Sequence, residues 1–232
     1  GIFFYYARLF VNGGKWATYP TNSHLYSDGR LLRAGDITDS KGVVLASTRD
    51  GERHFNENYY TRVATAHAVG DLEGFVSTGV HAAFLPELTG YNVLNGTYNQ
   101  SGKGNDMQLT LDSDLCVTAL RSLGSRAGAV GVCNYKTGEI ICMVSSYSFD
   151  PEEKSSKDEQ KEGVYVNRLL SGQYTPGSVF KLVTCLSALE NFSDFKSRTY
   201  TCKQGVTIGG EWLSCLGNHG TLGLRDGLAR SC

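Results

Sequence analysis

The sequence has no apolar run approaching the ~20 residues of a membrane-spanning helix. Neither charge sign is in excess: 22 basic residues face 23 acidic ones, for a net charge of -1. That balance lacks the basic face nucleic acid requires, so no nucleic-acid partner is expected. Proline is scarce, at 4 residues, and the 28 glycines follow no G-X-Y period, which excludes a collagen-like chain. Scattered glycines instead point to many turns and β-structure. The seven cysteines are an odd number and cannot all pair within one chain. Cys116, Cys142 and Cys185 lie in apolar runs and read as buried free thiols. No internal repeat is visible. What is present, 41% hydrophobic against 19% charged residues, supports a sizeable core in one large domain or two small ones.

The chain opens Gly1-Ile-Phe-Phe-Tyr-Tyr-Ala-Arg-Leu-Phe-Val11, too short to span a membrane and without a cleavage-site pattern. It reads either as an amphipathic helix or strand, or as the outer end of a membrane anchor. Gly35–Asp39 and Val43–Ser47 flank the turn Ser40-Lys-Gly42 and predict a hairpin. Residues 61–90 carry weak helix signals, and 91–106 read as a loop. A domain boundary is expected near Asp106. Beyond it, Met107–Leu111 alternates as a strand. Asp112-Ser-Asp114 offers an N-cap to a helix over Leu115–Leu123. The apolar runs Ala129–Cys133 and Glu139–Val144 predict a hairpin deep in a sheet. Residues 150–163 have no apolar residue beyond Pro151 and read as a mobile, solvated loop.

The stretch richest in chemistry is Asn167-Arg-Leu-Leu-Ser-Gly-Gln-Tyr-Thr-Pro-Gly-Ser178-Val-Phe-Lys181. Pro176 and Gly177 break the chain, and Phe180, Val183, Leu186 and Leu189 then recur at helical spacing. Ser178 therefore sits at a helix start with Lys181 one turn on, and residues three apart share a helix face. A serine hydroxyl is a poor nucleophile until a base takes its proton. Lysine serves as that base where burial or nearby positive charge favours its neutral form. The helix N-terminus adds free N–H groups that stabilise an oxyanion. Ser-x-x-Lys alone is a weak motif, since a serine N-cap beside a surface lysine also produces it.

Four further segments add specificity. They are Arg33-Ala-Gly-Asp-Ile-Thr-Asp39 with Gly42–Ala46, Leu109-Thr-Leu-Asp-Ser-Asp-Leu115, Tyr135–Ile141 with Met143-Val-Ser145, and Gly227-Leu-Ala-Arg-Ser231-Cys232. With these the chain resembles, over nearly its whole length, the penicillin-binding proteins, specifically class B D,D-transpeptidases of the penicillin-binding protein 2 type. The resemblance implies an α+β fold. Residues 1–106 would be a β-rich, non-catalytic pedestal, with 1–11 as the end of an anchor. Residues 107–232 would be the first part of a transpeptidase domain, an antiparallel sheet flanked by helices. By position Ser178 would be the acylated nucleophile, Lys181 its base, and Ser231 the serine of the second motif, Ser-x-Asn, relaying protons to the leaving group. Two departures stand out. The chain stops before that asparagine, and the third motif, Lys-Thr-Gly on a late strand, is absent. Lys136-Thr137-Gly138 has the right letters but precedes the nucleophile and reads as a structural turn. A fragment lacking its C-terminal part is expected to be inactive alone.

Cys202, Cys215, His219 and Cys232 are spaced C-x12-C-x3-H-x12-C, and three thiols with an imidazole make a good tetrahedral zinc set. Some relatives of the penicillin-binding protein 2 type hold a metal beside the second motif. A Cys202–Cys215 disulfide and three free thiols are the competing readings. His24, His54, His67 and His81 have no metal-ligand spacing and read as surface or packing residues.

The function implied is cross-linking of peptidoglycan stem peptides through a serine acyl-enzyme, with β-lactam antibiotics as suicide substrates. The reaction requires no organic cofactor, and zinc would be structural. The resemblance also admits a glycosyltransferase of the cell-wall machinery as partner. It places the protein on the extracytoplasmic face of a bacterial membrane, held by a single N-terminal anchor. A catalytically silent cell-wall scaffold and a serine β-lactamase or carboxypeptidase are the rival readings.

Overall fold

The computed structural model describes residues 1–27, 30–97, 102–153 and 162–232. Parts of the expected loops at 91–106 and 150–163 thus lie outside the described residues. The chain forms two compact units, Gly1–Gln173 and Tyr174–Cys232.

The first unit begins with helix α1 (Ile2–Ala17), whose first three turns are exposed on nearly every side. Among the described residues no helix is long and apolar enough to cross a membrane. A Cβ at Gly13 would fall 2.2 Å from the Tyr91 hydroxyl, so only glycine lets that side chain lie against the helix. Strands β1 (Tyr26–Ser27) and β2 (Arg30–Leu31) form a short ribbon. Strands β3 (Ile37–Thr38), β4 (Val44–Arg49) and β5 (Glu52–Phe55) then run as an antiparallel meander, confirming the predicted hairpin.

The turn between β3 and β4 is built by Asp39. Its Oδ1 accepts hydrogen bonds from the Lys41 and Val43 amides, each 2.8 Å, and Gly42 takes φ 83°. Oδ2 accepts from the Ser113 hydroxyl at 2.7 Å and the Ser113 amide at 3.2 Å. Burial alone would raise this carboxyl's pKa; the hydrogen bonds, led by the Ser113 hydroxyl, outweigh burial and lower it.

Helix α2 (Tyr59–Val69) starts at Asn58, whose side chain accepts from the Tyr60 and Thr61 amides. It is buried from Val63 to Val69 because it faces three apolar clusters: Val69 meets the meander, Ala64 and Ala68 meet Cys116 and Cys142, and Ala66 meets Phe149. The short helices α3 (Val80–Ala83) and α4 (Leu85–Leu88) follow, the weak signals of 61–90 resolving into three pieces.

The predicted strand at Met107–Leu111 is only two residues long, β6 (Met107–Gln108). It pairs parallel with β3 as the edge of a sheet ordered β5-β4-β3-β6. Helix α5 (Ser113–Leu123) is capped by Asp112, as the sequence predicts. Strands β7 (Gly128–Cys133) and β8 (Ile140–Ser146) form the second predicted hairpin, joined by a turn carrying Lys136-Thr-Gly138. Among the described residues no further strand pairs with it; β8 is buried at Cys142 and from Val144 to Ser146, as expected, whereas Gly131–Cys133 of β7 are exposed. Helix α6 (Arg168–Ser171) is capped by buried Asn167, which accepts from the Leu169 and Leu170 amides.

Of the four histidines expected at the surface or in packing, His67 and His81 are core residues and His54 lies 3.8 Å from Glu152. His67 Nε2 sits 2.7 Å from the Val164 carbonyl, and His81 Nε2 accepts from Arg53 Nε at 3.0 Å. Burial pushes both imidazoles from 6.5 down to about 4, His81 further helped by the Arg53 cation. A folded pKa below the unfolded one means the stabilisation is complete above pH 6.5 and lost as pH falls toward 4. Each histidine then contributes on the order of 3 kcal/mol. The thermal midpoint of this unit is expected to drop steeply between pH 6.5 and 4; a flat profile across that range would refute the assignment.

The second unit opens with a single 3₁₀ turn (Gly177–Phe180) leading into helix α7 (Lys181–Asn191). Strand β9 (Thr199–Cys202) pairs antiparallel with β12 (Gly220–Gly223). Between them β10 (Gly205–Ile208) and β11 (Glu211–Ser214) form a hairpin closed by Gly209 and Gly210. Both take positive φ, 61° and 89°, as a two-residue type I′ turn demands. Helix α8 (Leu224–Ala229) ends the chain's regular structure.

Candidate active site and cysteine cluster

Pro176 holds φ at -66° and Gly177 turns the chain at φ 56°, so Ser178 enters the 3₁₀ turn exposed. The Lys181 amide donates to the Ser178 carbonyl, which sets the two side chains one turn apart on one face. Sequence spacing suggests that the lysine amine reaches the serine directly. The hydrogen bonds instead run through a third residue. Ser178 Oγ lies 3.0 Å from Ser231 Oγ, and Lys181 Nζ donates to Ser231 Oγ at 2.9 Å and to the Ser231 carbonyl.

Ser231 reaches that position through the C-terminus of α8. Its amide donates to the Leu228 carbonyl at 3.2 Å, and the Cys232 amide donates to the Gly227 carbonyl at 2.9 Å. This pair of bonds is the Schellman motif, with Ser231 at the left-handed position. Its φ is 57°, a conformation that costs a non-glycine residue roughly 1–2 kcal/mol. A serine held where glycine is preferred is explained by what its hydroxyl touches.

The next residue points the other way. Cys232 Sγ lies 3.8 Å from Cys215 Sγ, and His219 Nδ1 lies 3.5 Å from Cys215 Sγ and 3.6 Å from Cys202 Sγ. All four ligand atoms lie within 4.8 Å of one another. A tetrahedral zinc with Zn–S near 2.3 Å and Zn–N near 2.0–2.1 Å separates two sulfurs by about 3.8 Å, and a sulfur from a nitrogen by about 3.6 Å. The donor set fits that ion in both chemistry and spacing. The strands explain the convergence: Cys202 ends β9, Cys215 follows β11, and His219 precedes β12. Gln204, which the sequence does not single out, takes φ 70° and accepts the Cys215 amide at 2.7 Å, fixing the Cys215 end.

The His219 amide and ring hold the Cys202 thiol down to about 6, and the neighbouring Cys202 sulfur raises Cys232 to about 11. The seven cysteines are free thiols. Of the three expected to be buried, Cys116 and Cys142 are, whereas Cys185 on α7 is half-buried, because its helix is largely exposed.

Comparison with known proteins matches residues 128–232 to the penicillin binding protein transpeptidase domain. Residues 128–232 are thus similar to this penicillin-binding protein family. It is 36% identical over 97 residues to the peptidoglycan D,D-transpeptidase MrdA of Acinetobacter baumannii, an alignment covering 38% of this chain and 14% of that protein. It is 29% identical over 220 residues to stage V sporulation protein D of Bacillus subtilis, covering 84% of this chain and 33% of that protein. Among solved structures, the D,D-transpeptidase domain of a peptidoglycan glycosyltransferase from Eggerthella lenta superposes with a TM-score of 0.66 at 27% identity. That match covers 84% of this chain and 46% of that one. The expected α+β fold of this transpeptidase family is present. The chain spans no more than about a third of the length of these two curated relatives.

Proposed function

We propose that the protein carrying this chain cross-links peptidoglycan stem peptides as a D,D-transpeptidase through a Ser178 acyl-enzyme. The hydrogen-bonded series Ser178–Ser231–Lys181 carries the reading. Ser178 Oγ attacks the carbonyl of a D-Ala-D-Ala amide, and its proton passes through Ser231 toward Lys181. The first-turn N–H of Ser178 stabilises the developing oxyanion. The same relay returns a proton to the departing D-alanine amine. An amine of a neighbouring strand then attacks the ester and forms the cross-link. β-Lactams enter by the same attack on the ring amide and leave a slowly hydrolysed ester.

In this reading residues 1–106 serve as the pedestal and 107–232 as the first part of the transpeptidase domain. The protein works at the outer face of a bacterial membrane, beside the glycosyltransferase of the cell-wall machinery. This stretch does not cross-link alone, because Lys136-Thr-Gly138 occupies a hairpin turn and supplies no third motif. Acyl transfer uses no organic cofactor. Cys202, Cys215, His219 and Cys232 hold a structural zinc, which supplies a cross-link among the β9, β11, β12 and α8 ends.

Incubating the intact gene product with fluorescent penicillin, digesting it and locating the acyl group tests the reading. The label is expected on the peptide containing Ser178. No label, or a label elsewhere, would refute it; rapid penicillin turnover would instead indicate a β-lactamase. Ser231→Gly separates the structural and chemical roles of its position. Glycine relieves the left-handed backbone cost, so the thermal midpoint should hold or rise while acylation slows about 100-fold. Unchanged acylation in this variant would remove Ser231 from the relay.

A further inference from the structure

We propose that His67 is an acid-operated release: protonation of its buried imidazole lifts residues 162–167, a strap lying against helix α2, off that helix. The device lies wholly within the first unit and does not depend on the acyl-transfer reading. In the proposed division of the chain, α2 belongs to the pedestal and the strap to the transpeptidase part, so the release sits on the joint between them. Three observations lead to it. His67 is 1% exposed, and its Nε2 lies 2.7 Å from the Val164 carbonyl. A carbonyl only accepts, so Nε2 carries the proton and Nδ1 is the bare nitrogen. That Nδ1 is buried and has no hydrogen-bond partner among the described residues. The ring meets Phe149 edge to face at 5.5 Å, so Val164 and Phe149, both from the stretch that follows β8, cover it.

Few contacts hold the strap. Val164 packs in the cluster of Ala66, Val76 and Phe149, and Tyr165 rests on Phe75 and Phe149 at 4.8 and 4.9 Å. Asn167 Nδ2 donates to the His67 carbonyl at 3.4 Å, and Ser145 Oγ donates to the Val166 carbonyl at 2.9 Å. Helix α2 is packed on three clusters, so the strap is the element that yields. A neutral ring needs nothing at Nδ1. A proton there makes a buried cation and a second N–H without an acceptor, both costly until water reaches the ring. The Arg168 guanidinium, which donates to the Gly163 and Glu162 carbonyls, adds repulsion. The acidic groups nearby are engaged elsewhere. Asp150 is bound by Arg62, Asp71 accepts the Phe75 and Val76 amides, and Glu152 accepts the Phe55 amide. From the other elements packed on α2, α5 and β8 present the thiols Cys116 and Cys142, with Arg121 over Tyr60. Strand β4 presents Leu45 and Ala46, and α3 presents His81, which accepts from Arg53. Tyr147 and Tyr165 border the His67 cluster.

The sign of the response follows from burial. The closed strap holds the imidazole at about 4, and release returns it to 6.5. The open form therefore takes up a proton that the closed form does not, and opening becomes easier as pH falls through 6.5. Between pH 6.5 and 5 the opening equilibrium rises about 15-fold when His67 alone is freed. It rises about 200-fold when unfolding of the whole unit frees His67 and His81 together. Ordinary carboxylates titrate below this window.

The test is amide hydrogen exchange of the intact gene product across this pH range, corrected for the intrinsic rate at each pH. The Val166 amide, bonded to the Gly163 carbonyl, and the Arg168 amide, bonded to Ser145 Oγ, report the strap. The Cys116 amide, bonded to the Asp112 carbonyl, reports α5. Expected is strap exchange about 15-fold faster at pH 5 than at pH 6.5, with the Cys116 amide slower than the strap at every pH. His67→Gln keeps a donor for the Val164 carbonyl and removes the titration, so its strap should exchange at one rate throughout. Flat strap exchange in the parent overturns the proposal. So does strap exchange that tracks the Cys116 amide with the steeper, roughly 200-fold rise of whole-unit unfolding. A response confined to pH below 5 belongs to carboxylates and overturns it as well, as does an undiminished response in folded His67→Gln. Should that variant not fold, the steepness in the parent decides by itself, because one freed histidine and two give different slopes.

Discussion

Ser178→Ala in the intact gene product is expected to abolish penicillin acylation, with a thermal midpoint close to that of the parent. Ser178 is exposed, and the hydrogen bond its side chain is seen to make goes to Ser231 Oγ, so its removal costs little folding energy. The companion variant Lys181→Met keeps the length of the side chain and removes the amine. Acylation should fall by about 10²–10⁴, the usual worth of a positioned acid–base group. Lys181 also donates to the Ser231 carbonyl, so the methionine variant should loosen Ser231 as well. A double variant Lys181→Met/Ser231→Gly therefore loses little more than either single one if the two act as one relay. Full additivity would mean that they act separately, and a methionine variant acylated at the parent rate would eliminate Lys181 as base.

If the cluster holds the proposed zinc, removing that ion should produce the largest change in stability. Within Tyr174–Cys232 the only buried apolar side chains among the described residues are Cys202 and Leu222. The apolar stripe of α7, from Phe180 through Val183 and Leu186, is more than half exposed. The four ligands lie at the ends of β9, β11, β12 and α8, so an ion among them staples these elements together. Structural zinc contributes on the order of 10–16 kcal/mol to such folds at neutral pH. Chelation should therefore melt β9–β12 and α8, visible as lost strand signal in circular dichroism and a midpoint lower by roughly tens of degrees. Cys202→Ala should mimic chelation and reduce bound zinc from about one per chain to none. A chain isolated without metal, or one whose melting ignores the chelator, would return the cluster to three free thiols and a histidine.

Much of the local structure was legible because it depends on neighbouring residues. Asp112 caps α5 because its side chain needs only the amides two and three residues on. Ser178 and Lys181 share a face because three residues make one turn. The β3–β4 and β7–β8 hairpins follow from apolar runs around short polar turns. Each of these rests on contacts a few positions apart, and periodicity and turn residues record them.

Position in the core left no such trace. His67 and His81 are embedded because α2 faces three clusters at once, and nothing in their flanking residues marks that. Both strands of the β7–β8 hairpin read as interior, yet only β8 is largely buried, because exposure is set by what packs against each strand. Ser231 meets Ser178 from 53 residues away in a left-handed conformation that serine does not favour. The four metal-type ligands were visible as a spacing, but their convergence to tetrahedral distances depends on how β9 meets β12 and how α8 ends. Sequence by itself therefore determined the one-turn spacing of Ser178 and Lys181 and the short-range elements. Tertiary structure alone decided that one helix end delivers both a hydroxyl to Ser178 and Lys181 and a thiol to the cluster, because that arrangement is made of long-range contacts with no local energetic signature.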